Sequence, residues 1–431
     1  MKLIHNIKTL YTMVSTPGNP LGAIDNAVVG WDDNKITFIG QQFPPLKKGD
    51  KGGFSLDANG ATMLPGLIDC HTHLVFAGSR AEEFAMRSRG ATYQEIMQNG
   101  GGIRSTMRAV RAASKQELID LALPRLEAML KKGVTTIEAK TGYGLSLNDE
   151  LKTLEVLGAL QKLQPIEILC TFLGAHAIPP EYEGQREQYV DHVVNDMLPR
   201  IAEQGIATMC DVFVERGAFT VEDGRRILQA AKQVGLLTRV HAEQLSHFGG
   251  AKLAAEIGAQ GASHLEFVSP EDMKRLADAS VVAEILPIAQ EYLNLQPVPG
   301  RALIGAGVDV AVATDFNPGS AMCNDIHLAA RLAVTRCGLT CEEALLGVTA
   351  NAAKALGRSD IGQIRVGAKA DLCLLRGESV WDLLYDWSDN PVIGLFKNGI
   401  DTSFLLRNGI SGKKKTNNNE TTESTAHTEK T

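Results

Sequence analysis

Hydrophobic positions recur with two different periods along this chain. Up to Pro65, short apolar runs (Lys2 to Met13, Ala27 to Trp31, Ile36 to Ile39, Phe54 to Leu64) are broken by turn signals at Asp33-Asn34, Pro44-Pro45 and Asn59-Gly60. This pattern predicts a small β structure. From Leu67 onward, continuous apolar runs of strand length alternate with amphipathic stretches of helical period, which is the pattern of parallel βαβ units. Eight such strands are expected: Leu67 to His73, Val134 to Lys140, Glu167 to Ala175, Ala207 to Val214, Leu237 to Glu243, Ala262 to Phe267, Val281 to Leu286 and Val308 to Ala313. Eight is the number that closes a barrel. Helices are expected between them, among them Lys115 to Lys132, Asp149 to Leu163, Asp191 to Gln204 and Val221 to Val234.

Strand character returns in Gly362 to Arg365, Ala370 to Leu375, Val392 to Lys397 and Thr402 to Arg407, with a hairpin signal at Asn398-Gly399. These strands need partners and so do those of the N-terminus. The expected fold is therefore α/β, a (β/α)8 TIM barrel over residues 65–361 with a small β-sandwich built from both chain termini, residues 1–64 and 362–411. Residues 412–431 are dominated by Lys, Asn, Thr and Glu, too polar to offset the entropy of ordering them, and are expected to be a disordered tail.

Composition narrows the functional classes. At 431 residues, 44% hydrophobic and 22% charged, the chain has the make-up of a folded globular protein. A net charge of −7 offers no broad basic face, so neither nucleic acid nor an anionic membrane is an expected partner. Met1 to Val14 is interrupted by His5, Asn6 and Lys8, and no uncharged apolar run reaches the roughly 18 residues a span needs, so neither signal peptide nor transmembrane helix is expected. The seven cysteines are scattered and contain no C-x-x-C pair, which points away from a disulfide framework and towards a reducing, cytoplasmic setting.

The strongest chemical signal is Pro65-Gly66-Leu67-Ile68-Asp69-Cys70-His71-Thr72-His73. Residues i and i+2 of a strand project to one face, so both imidazoles can converge on one ion. The pair falls at the C-terminal end of the first barrel strand, where barrel active sites are built. His241 ends the fifth strand and Asp315 follows the eighth, so all four reach one mouth and can bind one divalent ion. The bland readings are a core histidine for His241, the less favoured one even taken alone, and a helix N-cap for Asp315; their shared location with the first pair makes those readings poor. His264 ends the sixth strand and faces the same mouth, as a ligand, a proton carrier or an orienting group. His5, His192, His247, His327 and His427 lie off strand ends and read as surface or packing residues.

The Pro-Gly-Leu-Ile-Asp-x-His-x-His opening, the later His and Asp positions and the closing Gly362-Gln363-Ile364-Arg365-Val366-Gly367-Ala368-Lys369-Ala370-Asp371-Leu372 resemble the amidohydrolase superfamily. Longer stretches resemble its imidazolonepropionase family: His71-Thr72-His73-Leu74-Val75-Phe76-Ala77-Gly78-Ser79-Arg80, Lys140-Thr141-Gly142-Tyr143-Gly144-Leu145, Gly174-Ala175-His176-Ala177-Ile178-Pro179-Pro180 and Ala313-Thr314-Asp315-Phe316-Asn317-Pro318-Gly319-Ser320. The resemblance implies hydrolytic opening of the small molecule 4-imidazolone-5-propanoate to N-formimidoyl-L-glutamate in histidine degradation, with one Zn or Fe ion. It implies His71, His73, His241 and Asp315 as ligands. Arg80 and Tyr143 would hold the substrate, with His176, Gln244, Asn317, Gly319, Ser320 and Tyr93 around it. A homodimer follows by the same analogy. Gln244 stands where some members carry Glu; an amide positions but takes no proton at neutral pH.

The residues agree with that chemistry. A metal with an open position lowers the pKa of bound water from ~15.7 to about 7. Asp315 is then placed to take the water proton and return it to the leaving ring nitrogen, and His264 to stabilise the developing oxyanion. Arg80 could clamp a propionate carboxylate or form a surface salt bridge. Asn99-Gly100-Gly101-Gly102-Ile103 does not follow a strand and reads as an active-site loop rather than a phosphate cradle. Strand four ends Phe213-Val214-Glu215-Arg216 without the Lys that would bridge two metals, so one metal is expected. The rival readings are another mononuclear amidohydrolase reaction, such as deamination of a heterocycle, and a non-catalytic scaffold that lost its metal.

Overall fold

The computed structural model describes residues 1–43, 54–91, 95, 101–377 and 379–408; the polar tail and Tyr93 lie outside them. Near the N-terminus the chain forms β1 (Lys2–Tyr11), β2 (Ala23–Asp32), β3 (Lys35–Gly40), β4 (Ser55–Asp57) and β5 (Thr62–Pro65). It then enters eight strands: β6 (Leu67–Thr72), β7 (Val134–Lys140), β8 (Glu167–Ala175), β9 (Ala207–Val214), β10 (Leu237–Ala242), β11 (Gly261–His264), β12 (Val282–Ile285) and β13 (Val310–Val312). These pair in chain order, all parallel. A bridge from Thr72 to Phe316, with Asp315 N donating to His71 O, brings the last strand back to the first and closes the barrel. Every residue of β7 is buried, Glu138 and Lys140 included, because a parallel strand is covered on both faces and polar side chains at its end point into the barrel mouth.

The outer helices start where their caps dictate. Ser114 with Glu117, Thr220 with Asp223, and Thr340 with Glu343 each form a reciprocal capping box. The expected helix Asp191 to Gln204 starts earlier, at Arg186, and is interrupted by a π turn over Val193–Met197. Pro199, which has no N–H to give, lies just past that turn.

The two chain ends meet as expected. β14 (Leu372–Leu375) pairs antiparallel with β5, and β15 (Val392–Lys397) and β16 (Ile400–Asp401) extend the same sheet through the Asn398-Gly399 turn. Both turn residues have positive φ, 52° and 71°, which gives the tight two-residue hairpin its twist. The far edges of this sheet then approach each other. Ile36 N donates to Ala368 O, Ala370 N to Asn34 O and Trp31 Nε1 to Gly399 O, so the sheet curls over a core of its own around Ile4, Ile7, Val29, Trp31, Met63 and Phe396. Two expected strands are absent. Gly362 to Arg365 only touches the chain after β1, through Ile364 N to Thr12 O. Thr402 to Arg407 is instead a helix, Ser403–Asn408, because Asp401 caps the Ser403 N–H and the Thr402 hydroxyl is spent on Leu395 O.

The bottom of the barrel is fastened to this sheet by charge. Glu167, the first residue of β8, accepts from Arg358 (2.7 Å), Lys369 (2.9 Å) and Lys397 (3.0 Å), and Lys397 also binds Asp371 at 2.7 Å. Burial alone would raise the Glu167 pKa, but Lys397, Arg358 and Lys369 outweigh it and hold the carboxyl well below the usual range. A depressed folded-state pKa stabilises the fold fully above the unfolded value of 4.5 and loses that contribution as pH falls below it. Glu167→Gln is therefore expected to cost about 2 kcal/mol at pH 7, and less near pH 3, where part of the contribution is already lost. Thermal unfolding of both proteins at the two pH values checks this; an equal penalty at both would refute it.

Candidate metal centre and its pocket

The strand ends bring four imidazoles and a carboxylate together at the C-terminal mouth. His71 Nε2 and His73 Nε2 each lie 3.4 Å from Asp315 Oδ1. The His71 ring is centred 4.6 Å from His241, 5.5 Å from His73 and 5.9 Å from His264. All five residues are buried. His71, His73 and Asp315 form one group of donors within ligand distance, and His71, His241 and His264 another, so the geometry leaves His264 able to serve as a ligand too.

Supporting contacts fix which nitrogen faces the centre. Ser263 Oγ donates to Glu284 at 2.7 Å, so its lone pair must accept from His71 Nδ1 at 3.0 Å. Glu284 in turn pairs with Arg239. His241 Nδ1 lies 3.0 Å from Asp211, which with Glu138 holds the buried Lys140 ammonium at 2.9 and 2.7 Å. On His71 Nδ1 therefore carries the proton, on His241 Nδ1 faces the Asp211 carboxylate, and Nε2 of both is left buried without a hydrogen-bond partner. Burial, helped by Lys140, pushes His73 down to about 3 and His71 well below its usual value; burial likewise lowers His241 to about 3 against the pull of Asp211. Neutral imidazoles with orphaned lone pairs beside a buried carboxylate are the donor set a divalent transition ion takes, so the residues fit such an ion. Around His264, burial is outweighed by Glu266, with Asp315 and Asp211, and its pKa is raised. Strain gathers at this mouth: Glu243, His264, Leu265 and Asp315 all have positive φ, between 53° and 75°.

Above the centre lies a cavity of about 630 Å³ lined by His73, Arg80, Tyr143, His176, Gln244, His264, Asp315, Asn317, Gly319 and Ser320. His241 lines the cavity too, and His71 adjoins it through the donor cluster, so the structure brings the expected site residues among those described to one place. Arg80 is only partly a salt-bridge residue. Its Nε donates to Glu83 at 2.8 Å, and Glu83 also accepts from Gly102 N at 3.0 Å. Its Nη1 lies so close to Gly319 that a Cβ there would come within 2.1 Å, which gives that glycine its physical reason. Asn317 works through the loop: its Oδ1 accepts from Gly319 N and Ser320 N, both at 2.8 Å, and its Nδ2 donates to Asp315 O at 2.7 Å.

The sequence reading passed over several contributors. Glu215, directly after β9, lines the cavity and accepts from Leu245 N at 2.8 Å and Ser246 N at 3.2 Å, which holds the loop carrying Gln244. Its place at a strand end was the available signal. Lys140, Asp211 and Glu138 also sit on barrel strands, but the spacing of single charges does not reveal that they meet. A second donor group, Glu243, His247 and Asp272, has another purpose. Glu243 accepts from Phe248, Gly249 and Ala251 N–H at the start of a helix, and Asp272 is engaged by Ser269 and Arg275.

Comparison with known proteins agrees with this geometry. The sequence profile of the amidohydrolase family matches residues 62–400. The chain is 46% identical over 361 residues to the imidazolonepropionase of Myxococcus xanthus, covering 83% of this chain and 86% of that one. It is 43% identical to the imidazolonepropionase of Clostridium tetani, covering 88% and 91%. The chain belongs to the imidazolonepropionase family of amidohydrolases. Among solved structures it is similar to triazine hydrolase from Arthrobacter aurescens, at a TM-score of 0.71 and 18% identity over 93% of this chain and 94% of that one. It is also similar to the zinc complex of atrazine chlorohydrolase from the same species, at 0.64 and 17% over 93% and 95%. Those two share the fold of this amidohydrolase, a barrel with a terminal domain. No helix among the described residues is long and apolar enough to cross a membrane.

Proposed function

We propose that this amidohydrolase opens the ring of 4-imidazolone-5-propanoate by hydrolysis of its cyclic amide C–N bond, giving N-formimidoyl-L-glutamate in the breakdown of L-histidine. The observation that carries the reading is one cavity holding both a cluster of metal-type donors and a guanidinium seated on Gly319. Heterocycle deamination would use the same donors but gives Arg80 no carboxylate to hold.

His71, His73, His241 and Asp315 are the residues that would hold one ion, Zn or Fe. Bound there, such an ion lowers the pKa of water from ~15.7 to about 7 and supplies hydroxide at neutral pH. The protein's own groups do the rest. Arg80 binds the propionate through the guanidinium edge not taken by Glu83. Tyr143 and His176, ring centroids 5.4 Å apart at the pocket wall, orient the imidazolone ring. Asp315 takes the proton of the attacking water and passes it to the departing ring nitrogen; its burial raises its pKa, which suits a group that must be protonated in passing. His264, 3.8 Å from Glu266 and with its pKa raised against burial chiefly by that carboxylate, stabilises the oxygen on which negative charge develops. Gln244 orients, Asn317 and Ser320 shape the loop beneath Arg80, and family analogy alone adds Tyr93 to the substrate contacts. The seven free cysteines among the described residues suit a cytoplasmic enzyme, and a homodimer is added by family analogy.

Loss of the substrate's ultraviolet absorbance, followed before and after chelation and metal add-back, tests the reading. Metal-dependent opening with formimidoylglutamate as product is expected; inert substrate with bound metal would overturn it. His264→Ala is expected to lower turnover at least about a hundredfold with metal content unchanged. Near-normal turnover would remove His264 from the chemistry, and loss of metal would make it a ligand instead.

A further inference from the structure

Behind the pocket wall, the helix Leu147–Leu163 carries a carboxylate that the chemistry above does not use. Glu150 is fully buried, and no Lys or Arg pairs with it among the described residues. Its oxygens accept instead from three N–H groups of the loop after β7: Gly142 N at 3.1 Å, Gly144 N at 2.9 Å and Leu145 N at 2.8 Å, with the Thr141 side chain as a further partner. Capping does not explain this. The helix already has its N-cap in Ser146, which accepts from Asp149 N, and Glu150 reaches back to a loop outside the helix. A carboxylate encircled by backbone N–H groups is a strong local clamp.

What it clamps is the loop that bears the substrate-facing groups. Gly142 sits at φ 104° and Leu145 at φ 53°, conformations that a loop keeps only when its surroundings impose them. Gly142 links the two sides: its N–H goes to Glu150, and its C=O receives His176 Nδ1 at 3.0 Å. With Nδ1 so engaged, His176 has Nε2 left for the cavity. Tyr143 follows directly, buried, with its ring 5.7 Å from His73. One carboxylate thus sets the aim of both side chains.

We infer that Glu150 is a positioning residue for substrate recognition, acting through Gly142 on Tyr143 and His176. The inference takes its substrate from the ring-opening reading and its geometry from the loop alone. Glu150→Gln keeps the size of the side chain but turns an NH2 group towards N–H donors. It is expected to raise KM for 4-imidazolone-5-propanoate about tenfold or more, with kcat within about threefold and metal content unchanged. In a Tyr143→Phe, His176→Ala background the same substitution is expected to add nothing, since its route of action is gone. A purely structural carboxylate would give a full additive loss there, or lower kcat and metal together, and either result overturns the inference.

If Glu150→Gln does not fold, Gly144→Ala serves. Its Cβ would come 2.7 Å from the Asp149 carbonyl carbon and 2.9 Å from Glu150 N, displacing the loop with the carboxylate intact; the same non-additive rise in KM is expected, and an unchanged KM refutes the inference. Should the unaltered protein leave the substrate untouched, the ring-opening reading falls by itself. Amide hydrogen exchange then decides the positioning role: faster exchange at residues 141–145 in the variant, with β7 unchanged, supports it, and equal exchange overturns it.

Discussion

Replacing His73 with Ala is expected to leave a folded protein with well under one metal ion per chain and ring opening at least about a thousandfold slower. His73 and His71 are the two imidazoles that meet Asp315, each at 3.4 Å from the same oxygen, so removing His73 opens one side of the donor cluster. The fold should tolerate the change because two effects oppose each other. An orphaned buried nitrogen costs about 1–3 kcal/mol, and the histidine cluster holds several of them; deleting a ring relieves one and leaves a cavity of comparable cost. The metal-free forms of the two proteins should therefore unfold within a few degrees of each other, whereas added metal should raise the unfolding temperature of the unaltered protein alone. Metal analysis and calorimetry check both halves. A variant that retains one ion per chain and normal turnover would exclude His73 from the ligand set.

The barrel was legible because its signal is periodic and redundant. β7, β8 and β9 end where the apolar runs end, and the strand-end rule then places His71, His73, His241, His264 and Asp315 at one mouth. Later strands are shorter than expected, β13 by three residues, β11 at Phe267, since a run of apolar residues continues past the point where the ladder stops. The Thr402 segment failed for a related reason. Phe404, Leu405 and Leu406 are consecutive apolar residues that fit either period, and the choice was made by the hydrogen bonds of Thr402 and Asp401, which no periodicity reports. The partners of the supporting carboxylates were hidden for a third reason, even where, as at Glu215, a strand end marked the residue. Glu83, Glu150, Asp211, Glu215 and Glu284 each act on a partner set by the fold, and in sequence each is one acidic residue among fifty. The histidines of the donor cluster announce themselves by type and place; the groups that orient them are ordinary residues made specific by packing.

Arg80→Met is expected to lower kcat/KM for 4-imidazolone-5-propanoate by about 10²–10³, chiefly through KM, the loss that follows removal of a charge-assisted pair from a sheltered site. The guanidinium is held in advance of the substrate. Glu83 fixes its Nε, the other Glu83 oxygen is anchored by Gly102 N, and the bare Gly319 allows Nη1 its close seat. Arg87, which donates to Gly319 O at 3.1 Å, supports the same turn from the other side. Because the fork is preformed, Arg80→Lys should recover little: an ammonium keeps the charge but loses the planar pair of donors and the link to Glu83. A neutral amide analogue of the substrate separates a carboxylate clamp from a general packing role. The unaltered enzyme should disfavour the amide by nearly the factor that Arg80→Met costs with the acid, and the variant should barely distinguish the two. If the variant still prefers the acid by the original factor, the carboxylate is read elsewhere in the pocket, and the argument that separates ring opening from heterocycle deamination loses its residue.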